Sequence, residues 1–485
     1  MRRVACLKIV VAVAGPLVVS GCVTSGTTAS ISDPVAGFST VQTRTSSAIG
    51  KQAVWAQSQA ETEALAQRTR NLVYKKTIGP DTAVQVALLN NRGLQAVYAE
   101  VGMSAADVWQ ETMPVNPTAS VGYSSIGVSR IIETAITGNI LALMTQPRRV
   151  GLADTRFRQV QLKAAEETLR VAADTRRAWI NAVSAWEAVS YLNRSQAAAD
   201  AASDLAQKLG ETGSFTKTGQ AREHVFNAEL TGETATARLN ARLAKEELTR
   251  LMGLWGQDVD YSVPNALPSL PKGPKTKSGI EAEALRNRID LEVAKLELEA
   301  TAKSYGLTDA TRYVSDLQLM GGVEVEREEE DGEKKDVVSG TAEIEFSIPI
   351  FDTGKARMRK AELSYMRAAN LLAERAVNVR SEVRSSYQAY RARYDIARHY
   401  RNSVLPLRAK IEEESVLTYN GMITNTFELL ADTRAKIASN ILSLNAKREF
   451  YLAEVNLGAA IYGGGSSSGG GEIEVAAAKA EAGEE

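Results

Sequence analysis

Between Thr341 and Ala397 the chain changes its hydrophobic period, and that change limits the folds open to it. "TAEIEFSIPIF", from Thr341, puts Glu343, Glu345 and Ser347 on one face and Ile344, Phe346 and Ile348 on the other. Strict alternation is the pattern of a strand with one apolar side. From Ala361 the small and apolar residues recur at 361, 365, 368, 372, 376, 379, 383, 387, 390, 394 and 397. Ten steps cover 36 residues, and a mean spacing of 3.6 is that of an amphipathic α-helix. A helix from Ala356 to about Tyr400 would be roughly 65 Å long. Tyr365, Tyr387, Tyr390 and Tyr394 lie on its stripe and are expected to pack rather than bind a ligand.

The strand needs a partner. "LQLMGGVEVE", from Leu317, has the same alternation, and "REEEDGEKKD", from Arg327, reads as the solvated loop joining the two. Strands of about ten residues with one apolar face suit a transmembrane β-barrel. A soluble antiparallel sheet with one wet face has the same pattern. In the first half "TASVGYSSIGV", from Thr118, reads as a strand and "NILALM", from Asn139, as its less regular return.

Other segments also recur in pairs. "ALLNNRGLQAV" from Ala87 aligns with "ALRNRIDLEVA" from Ala284, matching Asn90 with Asn287 and Leu94 with Leu291. "RRAWINAVSAWEA" from Arg176 resembles "RSSYQAYRARYDI" from Arg384. The shared order and offset point to a tandem duplication, with repeats at 76–255 and 278–463 joined by a linker at 256–277. The order helix, strand, strand, long helix, long helix is expected twice.

The termini read differently. Arg2, Arg3 and Lys8 precede an uncharged apolar run, Ile9 to Val19, then Ser20-Gly21-Cys22. That is the layout of a signal peptide, too short for a permanent membrane helix. The small residues before Cys22 resemble a bacterial lipobox, so residues 1–21 are expected to be removed and Cys22 lipidated. Residues 22–75 form a polar leader and periplasmic segment, and 464–485 have the composition of a disordered tail. After the signal no run of 18 apolar residues appears, so any crossing of a membrane falls to strands.

Composition narrows the function. A net charge of −1, falling to −4 when the signal's three cations are lost, does not suit a nucleic-acid binder. The two histidines, His224 and His399, are far apart on expected helices with no metal-ligand spacing around them. No catalytic residue, metal or cofactor is expected, and the chain is not read as an enzyme.

Three stretches resemble the TolC-type family of outer-membrane efflux proteins, specifically its lipidated kind. They are "TAVQVALLNNRGLQAVYAEVGMSAADVWQETMPVNPTASVGY", "FSIPIFDTGKARMRKAE" and "TYNGMITNTFELLADTRAKIASNILSLNAKREFYLAEVNLGAAIYG". Four strands cannot close a barrel alone, and open edges in lipid would leave backbone groups unpaired. The resemblance implies a mainly α protein with a small β part: long helical hairpins forming a periplasmic α-barrel, plus four transmembrane strands per subunit. Three subunits would make a twelve-stranded barrel.

The resemblance also implies an outer-membrane exit duct for efflux or type I secretion. Its partners would be a periplasmic adaptor, an inner-membrane transporter and outer-membrane lipid. The rival is a helical-hairpin adaptor or scaffold lipoprotein without a pore. In the family's pattern Pro349 and Gly354 mark the strand-to-helix turn, and Gly421 the turn at the periplasmic tip. Glu428 takes the place of a pore-ringing acid; Asp432, one step past a second such position, is expected to point away from the Glu428 face.

Overall fold

The computed structural model describes residues 31–126, 129–213, 215–275, 279–330, 333–420 and 426–463. Two helices, α1 (Phe38–Ile49) and α2 (Gln59–Val73), lead in. Then come α3 (Pro80–Asn90), α4 (Arg92–Thr112), β1 (Thr118–Ile126), β2 (Ser129–Asn139), α5 (Ile140–Glu211) and α6 (Lys217–Leu251). The second half follows the same order with α7 (Ile280–Asn287), α8 (Ile289–Ala310), β3 (Leu317–Glu330), β4 (Glu333–Phe346) and α9 (Lys355–His399). A π-helical turn at Tyr400–Val404 carries α9 into α10 (Leu405–Asn420), and α11 (Thr426–Tyr462) returns. At 1.5 Å per residue, α5 alone reaches about 110 Å from the sheet and the α9–α10 run about 100 Å.

The repeat is visible in the backbone. The α3–α4 break falls at Asn91 (φ −67°, ψ 115°), and the α7–α8 break, one repeat later, at Arg288 (φ −75°, ψ 118°). Each break caps the end of a return helix. Asn91 donates to the carbonyl of Leu251 (2.9 Å) and Asn90 to that of Gly253 (2.6 Å). Gly253 sits at φ 65°, and a Cβ there would lie 2.7 Å from the Asn90 carbonyl oxygen, so glycine is required. In the second half Arg288 donates to the carbonyl of Ala460 (3.2 Å).

Burial follows the expected stripe of α9 for most of its length. Ala368, Val379, Val383, Tyr390, Tyr394 and Ala397 are buried and Tyr387 half-buried. Phe450 of α11 packs against Tyr390 and Tyr394, with ring centroids 5.5 and 5.6 Å away. Tyr365 departs from the expectation: it is exposed, because this chain covers the stripe only from Ala368 onward.

Two other expectations need correction. The return strand of the first hairpin is "SRIIETAITGN", and "NILALM" opens α5, where the Asn139 side chain accepts from the Ala142 N–H (2.8 Å). A six-residue apolar run does not by itself separate strand from helix. "REEEDGEKKD" is not a loop throughout, since β3 and β4 run on to Glu330 and Glu333. Their register sets Arg327 opposite Asp336, unlike charges that favour pairing. The polar leader contains α1, whose Phe38 and Val41 are buried, with Phe38 edge-on to Tyr98. The linker is packed too: Tyr261, Val263, Leu267 and Leu270 are buried, and Ser262 bridges to Thr77.

A buried ion pair and its neighbours tie the α7–α8 break to α9. Asp290 accepts from Arg288 Nε (2.9 and 3.0 Å) and from the Leu291 N–H (2.8 Å), and lies 3.4 Å from Arg375 of α9. Arg288 also pairs with Glu382 of α9 at 2.6 Å. Burial, and then the charge of Asp290, push the Glu166 carboxyl of α5 above its ordinary pKa.

Candidate functional site

The four strands form one antiparallel sheet in the order β1-β2-β3-β4, with β2 pairing β3 across the repeat boundary. Directly paired residues share a face, so the register sorts the whole sheet. One face carries Ala119, Val121 and Tyr123 of β1 and Ile132, Thr134 and Ile136 of β2. It continues through Leu317, Leu319, Gly321, Val323 and Val325 of β3 to Val338, Gly340, Ala342, Ile344 and Phe346 of β4. Thr134 is the one polar residue among these, and its hydroxyl donates to the Val323 carbonyl (3.1 Å). Val121, Tyr123, Ile132, Ile136, Leu319, Val323, Val338, Ile344 and Phe346 are all exposed in the single chain.

On β3 this apolar band runs from Leu317 to Val325, about the length a tilted strand needs to cross a bilayer core. Charge closes its far end, where Arg327 makes two bonds to Asp336, of 2.6 and 2.8 Å. The opposite face is polar and acidic: Glu133, Glu324, Glu326, Glu343 and Glu345 lie on it, with Glu133 directly opposite Glu324. Like charges face to face disfavour a pair unless water screens them. Among the described residues the outer edges of β1 and β4 have no pairing strand.

At the other end of the molecule α10 and α11 form a hairpin. Ser415 donates to Asp432, Glu412 pairs with Lys436, and Arg408 donates to Ser439 (3.2 Å). Glu428 is exposed in the first turn of α11. The expectation for Asp432 needs revision. Four residues of α-helix turn the chain by only about 40°, so Asp432 lies near the Glu428 face. What separates the two carboxylates is burial: Glu428 is exposed, whereas Asp432 is half-buried against Ser415 across the hairpin. Sequence spacing carried no sign of that contact.

Pro349 is half-buried in the turn between β4 and α9. Gly354 ends the turn at φ 73°, where a Cβ would meet the Arg312 carbonyl oxygen at 2.8 Å, and its N–H donates to Asp352 (2.8 Å). Cys22 and Gly421 lie outside the described residues. His224 Nδ1 is 2.7 Å from Ser203 Oγ, joining α6 to α5, and His399 is exposed. Among the described residues no helix is long and apolar enough to cross a membrane, and no group of His, Cys, Asp or Glu could hold a metal ion.

Residues 282–461 match the model of the outer membrane efflux protein family. No curated protein sequence matches the chain. Solved structures share its fold at low identity. CusC is 15% identical with a TM-score of 0.67, the match covering 79% of this chain and 92% of that one. CmeC, an outer membrane channel of Campylobacter jejuni, is 17% identical with a TM-score of 0.64, covering 82% and 88%. The outer membrane protein VceC of Vibrio cholerae is 15% identical with a TM-score of 0.65, covering 79% and 96%. Residues 282–461, within the second repeat, carry a domain of the outer membrane efflux protein family, and the described residues as a whole share the fold of these solved structures.

Proposed function

We propose that this protein is an outer-membrane exit duct for efflux or secretion. In this reading three copies join edge to edge, β1 of one to β4 of the next, into a twelve-stranded barrel. The observation that carries it is the sheet: a continuous apolar face exposed to solvent, an acidic opposite face, and two unpaired outer edges. Closing the ring pairs those edges and turns the apolar face to lipid and the glutamates to a water-filled lumen. The long helices would extend the duct about 100 Å into the periplasm. There a periplasmic adaptor and an inner-membrane transporter would deliver the cargo. A pore-less scaffold has no use for such a sheet. Purified protein should migrate as a heat-modifiable trimer and give stepwise conductance in planar bilayers. A monomer that inserts but never conducts would overturn the proposal.

Lipidation belongs to the same reading. Mass spectrometry of the purified protein should find a diacyl or triacyl group on an N-terminal Cys22, motivated by "VVSGC". An intact Met1 or cleavage elsewhere would refute it. Cys22→Ser should still reach the outer membrane but assemble less efficiently.

At the periplasmic mouth, three copies of Glu428 would converge on a narrow opening and attract cations. Glu428→Gln should lower the cation-to-anion permeability ratio by at least about twofold. Asp432→Asn should change it less, since Asp432 is engaged by Ser415. Equal effects of the two substitutions in bilayer recordings would move the ring elsewhere.

A further inference from the structure

Where the chain leaves β4, its exposed side chains sort by chemistry along the path. Ile348, Ile350 and Phe351 follow Phe346 and carry the apolar face beyond the strand; Phe351 is 99% exposed. Tyr313 and Val314, just before β3, are exposed as well. Lys355, Arg357, Arg359 and Lys360 come next, all exposed on the first two turns of α9, whose first turn holds no acidic residue. Arg312 ties the two segments together. Its Nε donates to the Thr353 carbonyl (3.3 Å), its guanidinium lies 4.9 Å from the Tyr313 ring centre, and its own carbonyl accepts from Arg357 (3.4 Å). The first repeat has the same sequence of chemistry, with exposed Leu143 and Met144 followed by Arg148 and Arg149 on α5.

Three acids pair with this belt. Asp352 is 3.7 Å from Arg357, Glu362 pairs with Arg359 at 2.7 Å, and Glu111 with Arg149 at 3.2 Å. The first two pairs are exposed and the third half-buried, and such solvent-reached pairs neutralise little.

We propose that this belt seats on the anionic phosphate headgroups of phospholipids in the periplasmic-side leaflet; the inference rests on the membrane-spanning reading of the sheet. Apolar strand, exposed aromatics and then cations is the order of hydrocarbon, interface and headgroup layer met along a bilayer normal. Lys and Arg stems can lie on apolar surface while their charged ends reach phosphate. In a closed ring of copies the cations of every subunit fall at one level and repel one another. A layer of anionic headgroups neutralises them; a neighbouring copy, carrying the same belt, does not.

The test is native mass spectrometry of the full-length trimer titrated with phosphatidylglycerol or phosphatidylethanolamine, with melting curves in nanodiscs of the same lipids. Phosphatidylglycerol should bind more tightly and raise the melting temperature. A cation beside an anionic surface is worth about a fivefold change in binding, so Lys355→Gln/Lys360→Gln should cut the preference by roughly tenfold or more. Inorganic phosphate at matched ionic strength should not compete. Equal binding of the two lipids, or a preference unchanged in the double variant, overturns the proposal. A double variant that loses its trimer while keeping the lipid preference assigns the belt to a neighbouring copy and overturns it as well. Insertion without lipid preference sinks this inference alone, whereas failure to insert into any vesicle sinks the membrane reading with it.

Discussion

Val121→Arg is expected to abolish insertion of the sheet into the outer membrane, and Ser120→Arg, one residue away, to leave it intact. The contrast follows from register. Val121 is 77% exposed on the apolar face, in a row with Thr134, Val323 and Gly340 near the middle of the band. An arginine facing lipid at mid-depth costs about 2–4 kcal/mol. In the proposed ring of three copies that cost would be repeated three times, a large fraction of the stability of an ordinary folded protein. Ser120 lies on the acidic face with Ala135 and Gly322, where a guanidinium meets water and carboxylates. The measurement is the fraction of each variant that resists urea extraction from outer membranes, with heat-modified gel mobility as a second readout. Equal loss in both would mean that the faces are assigned the wrong way or that β1 is not in lipid.

Asp290→Ala is the second large effect. It removes the acceptor of both bonds from Arg288 Nε and leaves a guanidinium that is only 8% exposed short of a partner. Breaking one side of a buried ion pair costs about 3–5 kcal/mol, far more than the pair itself contributes over apolar residues of the same shape. Arg288→Met/Asp290→Leu should therefore recover much of the loss, and melting in detergent would show it. Glu382 and Arg375 also contact this pair, so the recovery is expected to be incomplete. Asp290→Asn carries its own signature. Burial is the main cause of the raised Glu166 pKa and the Asp290 charge the next, so removing that charge should bring the Glu166 pKa down without restoring its ordinary value. An Asp290→Ala protein as stable as wild type would show that the network does not hold the α7–α8 break against α9.

Local pattern accounts for what could be read in advance. Each period is a property of neighbouring residues. Alternation from Leu317 and Thr341 specified which side chains share a face, because a slip of one residue would exchange the faces. The 3.6-residue stripe from Ala361 specified which side of α9 packs. The repeat order was legible from "ALLNNRGLQAV" and "ALRNRIDLEVA", and both helix breaks fall within those segments. In the first hairpin the signal was weak. Ile131 and Ile132 point to opposite faces of β2, so "SRIIETAITGN" does not alternate cleanly, and the apolar "NILALM" took its place.

Outside the first hairpin, the sequence by itself determined the main repeat elements, their order and the two faces of β3 and β4, since these follow from periodicities within a few turns or a few strand residues. Tertiary structure alone decided the partners. Arg288 and Asp290 read as ordinary charges beside a helix break; they become a buried pair only once α9 brings Arg375 and Glu382 against them. Asp432 reads as a surface acid one turn beyond Glu428, and it acquires Ser415 only because α10 folds back on α11. The polar leader became part of the core when Phe38 met Tyr98, sixty residues further along the chain. The desolvation that gives such contacts their energy depends on which distant segments arrive together, and no local spacing encodes that.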